Sequence, residues 1–400
     1  MKKYIIAISF VFIPILLLGQ SSTDKYTPLL GPAKKANSDA LVVLEDGEKV
    51  LEYYSDSESS KIQSMSVTKS VVGLAVAKLL SDGAIDSLDT PVAYYYPEWK
   101  QGQKDKITIR HLMNHTSGLQ NVANANAEVN PTPDMIQLGL SASVVNKPGT
   151  EFSYNNKAVN ILSGIIRKAA DKPIDKYLQA ELFSPLGITD FSWGTDEKGN
   201  HYGMSGLAIH ARDLAKLGQL VLQKGSWNDK QLIDKQWVEK LMDRGSPETR
   251  TYGLLWWRIP ENENYEIGDQ QIKQMKESEL DKTMVAKVKE IKGTYSNMGS
   301  LQNAFMSQFE DIKQLMKFRK SVVAKGIKPY KKSITGPTIG YKASGDGGQY
   351  LVIYPKQDVV AVRMTKVGKN YKQRDGRFGT FSQLVYKLAK SSSAEIKKSD

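Results

Sequence analysis

Residues 64–80 read SMSVTKSVVGLAVAKLL, and the interpretation of the whole chain starts from this stretch. Apolar residues occupy nearly every position after Lys69, which predicts a helix that is buried on all sides. Only its first turn is polar. Ser66 and Lys69 are three positions apart, so on a helix their side chains lie on the same face, one turn apart. The sequence therefore predicts a hydroxyl and an amine within reach of each other.

This pair is a candidate for nucleophilic catalysis. A serine hydroxyl attacks a carbonyl efficiently only when a neighbouring group takes its proton. An ammonium packed against an apolar helix is costly to keep charged, so the pKa of Lys69 should fall and a neutral amine becomes available as base. The N–H groups at the helix start favour an oxyanion at Ser66. The alternative is an ordinary helix cap with a lysine that reaches solvent, because Ser and Lys recur at this spacing by chance.

The N-terminus has the pattern of an export signal. A charged Met1–Lys3 precedes the apolar run Tyr4–Leu18, and small polar residues follow. We interpret residues 1–20 as a signal peptide cleaved near Gly19 or Gln20, which predicts a secreted or periplasmic protein with no stable membrane span after cleavage. The alternative is a retained N-terminal anchor, although the run is short for a membrane span. The sequence contains no cysteine, which excludes disulfides, thiolate metal sites and lipid attachment through cysteine.

The mature chain has the composition of a soluble globular protein but an excess of positive charge. Charged residues make up 24% of the sequence and the formal net charge is +12. Basic residues cluster in Lys328–Lys332 and Lys366–Arg377. An exported basic protein is attracted to anionic envelope polymers or lipid headgroups, whereas nucleic acid is not an expected partner outside the cytoplasm. A solvated face without a partner is the alternative. We expect residues 390–400 to form a disordered tail.

Local patterns predict the elements that surround the Ser66 helix. Asp46-Gly47 joins two strands, Asp39–Leu44 and Lys49–Tyr54, in a β-hairpin. Gly83 ends the Ser66 helix, and Thr108 caps a short helix. The remaining predictions are helices at Ile109–Asn114, Ala158–Ala169, Leu207–Lys224 and Trp237–Met242, and strands at Thr251–Ile259, within Gly340–Pro355 as two strands joined by glycines, and at Val359–Met364.

Two further groups of polar residues are candidates for a site. Tyr154 and Asn156 precede a predicted helix; a phenol beside a lysine can relay a proton, and an amide can hold both the lysine and a substrate carbonyl. The alternative for this pair is packing and helix capping. His111 and His115 have a spacing that suits a metal, but no glutamate follows the first histidine as in zinc proteases. We therefore interpret the four histidines, which include His201 and His210, as structural and expect no metal.

The order and spacing of three motifs resemble a known superfamily. The motifs are Ser66-Val67-Thr68-Lys69, the stretch HLMNHTSGL at 111–119, and Tyr154-Asn155-Asn156. Together they are similar to the serine β-lactamase and penicillin-binding protein superfamily, in its branch of class C β-lactamases, D,D-peptidases and esterases. The likeness covers Ala40–Tyr386 apart from one insert.

The resemblance implies an α/β (α+β) fold, in which helices flank an antiparallel sheet and an all-helical lobe is inserted at about 100–200, within a domain spanning 31–389. It implies that Ser66 is the nucleophile, Lys69 the general base, Tyr154 the proton relay and Asn156 a positioning residue. The backbone N–H groups of Ser66 and Asp346 would form the oxyanion hole. An acyl-enzyme on a small-molecule or peptide-like substrate follows, without metal or cofactor.

The third motif departs from the family pattern. Relatives carry Lys-Thr-Gly or His-x-Gly on the strand beside the site, whereas this chain has Ala343-Ser344-Gly345. In this motif the chain is similar to 6-aminohexanoate-dimer hydrolases. The missing cation weakens the case for β-lactam or D-Ala-D-Ala substrates, whose carboxylate it helps to hold in relatives. Strand alternation points Lys342 to the opposite face. An ester or amide hydrolase is therefore the leading interpretation; a D,D-peptidase or β-lactamase is the first alternative, and a non-catalytic envelope-binding protein the second.

The insert spans residues 261–338 and separates two strands that relatives join by a shorter link. It is rich in Lys, Glu and Gln and has helical periodicity. Because it extends from strands beside the site, we expect a lid or recognition element. A peripheral decoration is the alternative.

Overall fold

The computed structural model of the chain describes residues 25–56, 60–122, 132–247, 249–309, 311–366 and 378–396. The predicted signal peptide and most of the basic cluster Lys366–Arg377 lie outside the described residues. In the part of the chain that the structure describes, no helix has the length and apolar character to cross a bilayer.

A seven-stranded antiparallel sheet forms the centre of the fold, in the order β2-β1-β12-β11-β10-β8-β9. A second sheet has the order β3-β5-β4, and β6 pairs with β7. The strands are β1 (Ala40–Glu45), β2 (Glu48–Tyr54), β3 (Ile62–Gln63), β4 (Phe191–Trp193), β5 (Leu207–Ile209), β6 (Ser226–Trp227), β7 (Lys230–Gln231), β8 (Trp257–Ile267), β9 (Gly293–Tyr295), β10 (Lys331–Gly345), β11 (Gln349–Tyr354) and β12 (Val359–Met364).

Helices cover both faces of the large sheet. They are α1 (Leu30–Lys35), α2 (Thr68–Ser81), α3 (Val92–Tyr95), α4 (Ile109–Met113), α5 (Met135–Ser141), α6 (Asn156–Ala170), α7 (Ile174–Leu178), α8 (Ala211–Leu222), α9 (Lys235–Met242), α10 (Asp269–Glu277), α11 (Lys282–Lys289), α12 (Met298–Gln308), α13 (Ile312–Ala324) and α14 (Phe381–Ile396). The expected architecture, an antiparallel sheet flanked by helices, is confirmed.

Strand alternation divides the apolar residues of the sheet between two cores. On one face Val42, Leu351 and Val360 pack into the main core with α2, α6 and α8. On the other face Leu41 and Val352 pack with α1 and α14. Helix α2 is apolar on nearly all sides because it lies inside the main core. The sheet therefore separates a thick helical layer from a thin one.

The hairpin, the Ser66 helix and the glycine-joined strands form as predicted. Asp46 and Gly47 both have positive φ, as a tight hairpin turn requires. Gly83 has φ of 72° just beyond the C-cap of α2. The helices predicted at Ile109–Asn114, Ala158–Ala169 and Trp237–Met242 lie within two residues of α4, α6 and α9.

Three boundaries differ from the prediction. Leu207–Ile209 is not the start of a helix but strand β5, which lies between β3 and β4. The strand predicted at Thr251–Ile259 begins only at Trp257, and the preceding residues form turns. The last helix runs to Ile396, so it also covers positions expected to belong to a disordered tail.

The insert forms a compact unit with its own core. Strands β8 and β10 extend beyond the rest of the sheet and carry α10 to α13 and β9 between them. Buried residues of these helices, including Met275, Leu301 and Phe318, form a third hydrophobic core with Tyr265 and Ile267 of β8. The insert is therefore a small subdomain mounted on two central strands.

Candidate active site

Ser66 lies in a single 3₁₀ turn, Met65–Val67, immediately before α2. Met65 has φ of 52°, a left-handed conformation that is uncommon for a residue other than glycine. Ser64 Oγ lies 3.0 Å from Thr68 Oγ1, and Thr68 Oγ1 accepts a hydrogen bond from the backbone N–H of Leu207 in β5. The turn that presents Ser66 is thus held by contacts from both sides.

Lys69 lies one turn after Ser66, as the spacing predicts. Its Nζ is 2.9 Å from Ser66 Oγ and donates a 2.8 Å hydrogen bond to the carbonyl of Met204. The side chain is fully buried, and this burial lowers the pKa of Lys69 from its ordinary value, while the neighbouring Tyr154 acts in the opposite direction. Burial thus favours the neutral amine that a general base requires.

The Met204 carbonyl is a partner of Lys69 that sequence reasoning missed. It lies in the loop before β5, and the backbone N–H of Met204 donates to Asn160 Oδ1 on α6. This contact orients the loop so that the carbonyl faces the amine. No local signal connects these positions, because the contact joins residues more than a hundred positions apart.

Tyr154 reaches the same place from the segment just before α6. Lys69 Nζ lies 5.0 Å from the Tyr154 ring centre. Asn155, which follows Tyr154, caps α6 by accepting from the N–H groups of Lys157 and Ala158. Asn156 Oδ1 is buried and accepts no hydrogen bond from any described residue. The structure therefore brings Ser66, Lys69 and Tyr154 together, whereas none of the contacts of the described residues joins the Asn156 amide to them.

His115 lies beside this group, although its sequence context indicated only a structural role. Its ring centre is 4.4 Å from that of Tyr154, and its Nδ1 accepts a hydrogen bond from the backbone N–H of Asn155. Burial lowers the pKa of His115 well below its ordinary value, and the Lys69 amine adds to this shift. His115 is thus a neutral packing partner of Tyr154.

The other histidines lie away from this group. His111 forms a capping box with Thr108 at the start of α4. His201 and His210 lie 3.3 Å from Asp175 and 2.9 Å from Asp190, respectively. Among the described residues, no group of three or more His, Asp and Glu side chains has an arrangement that could hold a metal.

The glycine-rich turn between β10 and β11 faces Ser66. A Cβ at Gly345 would lie only 2.6 Å from the Ser64 carbonyl oxygen, so only glycine allows this strand to approach the turn before α2 so closely. Asp346 follows at the start of the turn Asp346–Gly348 and lines the same cavity as Ser66. The two backbone N–H groups expected to form the oxyanion hole therefore belong to adjacent walls.

A buried arginine supports this turn. Arg363 on β12 is fully buried, and its guanidinium donates to the carbonyls of Gly347 and Gly348 at 2.9 and 2.7 Å. It also donates to Ser38 Oγ and to the Ala36 carbonyl. Arg363 was not among the predicted site residues, because an arginine in an apolar strand has no distinctive sequence pattern.

The third-motif region is divided between core and cavity. Ala343 is fully buried in the main core, whereas Ser344 and Gly345 line a cavity of about 570 Å³ that also contains Ser66 and Tyr154. Lys342 points to the face opposite Ala343, as alternation predicts, but this face lines the same cavity. The opposite face of the strand therefore also belongs to the cavity that holds Ser66.

The family model described as Beta-lactamase matches residues 29–379, which is most of the chain. The chain belongs to the Beta-lactamase family. This confirms the resemblance on which the sequence analysis relied, and it places the chain in a superfamily of serine hydrolases that includes penicillin-binding proteins.

Individual relatives of this Beta-lactamase family member match over part of their length. Protein flp of Staphylococcus aureus is 31% identical over 156 residues, which cover 36% of this chain and 30% of that protein. A Salmonella agona protein named as a D-alanyl-D-alanine carboxypeptidase is 26% identical over 243 residues, which cover 46% of this chain and 55% of that protein. The chain thus spans between 30% and 55% of the length of these two curated relatives.

A solved structure extends the likeness to nearly the whole fold. A Bacillus anthracis protein named as a 6-aminohexanoate-dimer hydrolase superposes with a TM-score of 0.62 at 20% identity, and the match covers 93% of this chain and 83% of that one. At this identity the likeness concerns the architecture of the Beta-lactamase family and leaves the substrate open.

Replacing His115 by asparagine should make the free energy of unfolding decrease less steeply as the pH becomes acidic. Below the ordinary histidine pKa of about 6.5, the unfolded chain binds a proton at His115, whereas the native protein does not. The free energy of unfolding therefore falls by about 1 kcal/mol for each pH unit below about 6.5. Asparagine tolerates the positive φ at this position and offers Oδ1 in place of Nδ1. Urea unfolding of wild type and His115→Asn at neutral and mildly acidic pH measures the difference.

The matched control is His111→Asn, at an imidazole that is only half-buried and whose pKa burial lowers less. It should change the slope of stability against pH less than His115→Asn does. Parallel curves for wild type and His115→Asn would show that His115 is not held neutral in the native protein.

Proposed function

We propose that this chain is an exported serine hydrolase that forms an acyl-enzyme on an ester or amide substrate. The observation that supports this most strongly is the 2.9 Å separation of Lys69 Nζ and Ser66 Oγ. The amine is buried, and its lowered pKa makes the neutral, proton-accepting form accessible. A hydroxyl and an amine with only a structural role would not need this costly burial of an amine.

Each residue near Ser66 then has a defined task in acylation. Ser66 Oγ attacks the substrate carbonyl and gives its proton to Lys69 Nζ. Tyr154, whose ring centre lies 5.0 Å from Lys69 Nζ, delivers a proton to the departing alcohol or amine as the carbonyl–heteroatom bond breaks. Asn156 Oδ1 accepts a hydrogen bond from the protonated Lys69 amine or from a substrate N–H group, which keeps them in line.

The tetrahedral intermediate needs donors where its negative charge develops. The backbone N–H groups of Ser66 and Asp346 line the cavity from the two walls that meet at Gly345. Each such donor lowers the activation barrier by about 3 kcal/mol in comparable sites. Water then attacks the acyl-enzyme and gives its proton to Tyr154. As the bond between Ser66 Oγ and the acyl group breaks, Lys69 returns its proton to Ser66 Oγ and the acid is released.

A fluorophosphonate probe tests this function directly. We expect covalent labelling of the folded wild-type protein at Ser66 and none in Ser66→Ala. The matched control is Ser70→Ala, because Ser70 is buried in the same helix and donates to the Leu255 carbonyl away from the cavity. This variant should be labelled like wild type. Absence of labelling in folded wild type would contradict the proposal and favour the non-catalytic envelope-binding alternative.

A D,D-peptidase or β-lactamase is the second candidate, because one relative carries the name of a D-alanyl-D-alanine carboxypeptidase. The absence of a cation at Ala343 argues against the usual carboxylate contact of such enzymes. Turnover of nitrocefin or trimming of muropeptides would favour this candidate. Activity on simple esters with neither of these activities would eliminate it.

Export is proposed from the charged, apolar and small-polar segments of residues 1–20. We also propose, from the positive net charge, that the basic surface attracts anionic envelope polymers. Mass spectrometry of the protein recovered from the cell envelope or the medium should give a mature N-terminus near residue 20. An intact N-terminus in a membrane pellet would support a retained anchor instead.

A further inference from the structure

The catalytic cavity extends beyond Ser66 along one face of the large sheet. Residues of β8 from Trp257 to Tyr265 line it, and they include the alternate residues Trp257, Ile259, Glu261, Glu263 and Tyr265 together with Arg258 and Pro260. Because strands rise about 3.3 Å per residue, this row covers about 26 Å. The cavity is therefore a groove that leads away from the nucleophile.

Two elements distant in sequence close this groove. Ser296 and Met298, at the start of α12 in the insert, line one part, and Ser382 and Tyr386 of α14 line another. The insert thus contributes directly to the walls of the cavity that holds Ser66. This placement supports a recognition element over a peripheral decoration.

Lys342 brings an amine into this groove. It is half-buried on β10, opposite Trp257 of β8. Within the described part of the chain its amine donates no hydrogen bond, although the Glu263 carboxylate attracts it and the Lys332 amine repels it. Glu263 itself is engaged by Lys332 at 2.5 Å and by the Tyr265 hydroxyl at 2.7 Å.

A half-buried amine that makes no hydrogen bond within the described protein can donate to an acceptor on a ligand, and such charge-assisted bonds are stronger than neutral ones. Lys342 lies three positions before Gly345, and Gly345 packs against the turn before α2. Lys342 is therefore about 10 Å along β10 from the nucleophile end of the cavity. Trp257 lies opposite Lys342 and stacks on Tyr154, with ring centres 6.1 Å apart. An apolar wall therefore connects the amine to the reacting centre.

We propose that Lys342 binds an anionic group, most simply a carboxylate, at the far end of an elongated ester or amide substrate. An apolar linker would lie against Trp257 and place the scissile carbonyl at Ser66. This inference rests on the proposed hydrolase function. It differs from the family's third-motif contact, because the cation lies on the opposite face of the strand from Ala343.

Two pairs of esters test the proposal. The first pair carries the carboxylate on the acyl group: mono-p-nitrophenyl hexanedioate and its methyl-capped analogue. The second pair carries the carboxylate on the leaving group: 6-acetoxyhexanoate and its methyl ester. In at least one pair, Lys342→Met should reduce the ratio of kcat/KM for the charged over the neutral ester by about 10- to 100-fold, as expected for a charge-assisted hydrogen bond. Lys342→Arg should retain most of the ratio. Lys230→Met, at an exposed lysine of β7, is the matched control and should leave the ratio unchanged.

A binding measurement separates failure of this subsite from failure of the hydrolase function. In a Ser66→Ala background, calorimetry with monomethyl hexanedioate should show about tenfold weaker binding when Lys342→Met is added. If the fluorophosphonate does not label Ser66 but binding still depends on Lys342, the subsite holds and the hydrolase function falls. The subsite is refuted if neither the kinetic ratio nor the binding depends on Lys342. It is also refuted if Lys342→Met and Lys342→Arg reduce the ratio and the affinity equally.

Discussion

Replacing Lys69 by methionine is expected to reduce kcat/KM by about 10³-fold, since a positioned general base contributes roughly 10²–10⁴-fold to the rate. Methionine fills a similar volume without an amine, so the packing around the Met204 carbonyl changes little. Initial rates on a p-nitrophenyl ester, together with the rate of fluorophosphonate labelling, measure the loss. Near-wild-type rates in Lys69→Met would show that another group takes the Ser66 proton.

Lys69→Arg distinguishes a base from a simple positive charge. Arginine keeps the charge and the donors but does not deprotonate at accessible pH, so we expect this variant to be as inactive as Lys69→Met. In wild type, kcat/KM should fall as the pH decreases through the pKa of Lys69, because protonation removes the base. Burial lowers the pKa of Lys69, so this limb should lie below the pH at which an ordinary lysine titrates. Activity of Lys69→Arg close to wild type would indicate a purely electrostatic role.

The parts of the site that could be predicted from sequence depend on local patterns. Ser66 and Lys69 are one helical turn apart, and the apolar sequence around them specifies a buried helix. Gly345 and the glycines after Asp346 mark a turn that only small residues allow. Asn155 caps α6 and thereby fixes Tyr154 just before the helix. In each case the signal lies within a few residues of the group that it positions.

The wrong strand boundary at Thr251 has a physical reason. Leu255 has φ of 62°, its N–H donates to the Met113 carbonyl, and its carbonyl accepts from Ser70 Oγ. The apolar stretch around Leu255 is therefore buried by contact with α2 and α4 and not by pairing in the sheet. An apolar run indicates burial but does not distinguish these two ways of achieving it.

Contacts between distant parts of the chain could not be predicted from one sequence. The Met204 carbonyl reaches Lys69 because Asn160 holds its loop, and Lys342 lines the cavity because α12 and α14 cover that face. Alternation gave the face to which Lys342 points. The neighbours of that face come from segments tens of positions away, in the insert and in the last helix.

Replacing Arg363 by methionine is expected to lower the free energy of unfolding by about 3 kcal/mol or more, because buried acceptors are left without donors at a cost of about 1–3 kcal/mol each. The acceptors are the carbonyls of Gly347, Gly348 and Ala36 and the hydroxyl of Ser38. The turn that carries Asp346 also loses its support, so acylation of Ser66 should slow. Urea unfolding and the labelling rate measure the two effects.

A graded series connects the loss of stability to this hydrogen-bond network. Ser38→Ala removes only the acceptor of Arg363 Nε and should cost about 1–2 kcal/mol. Arg110→Met is the matched control, because Arg110 makes two hydrogen bonds to Asp89 at the surface, where such pairs contribute about 0–1 kcal/mol. The labelling rate should fall with Arg363→Met and stay unchanged with Arg110→Met. If Arg363→Met lost stability but labelled Ser66 at the wild-type rate, Arg363 would support the sheet alone, and the oxyanion turn would keep its shape without the guanidinium.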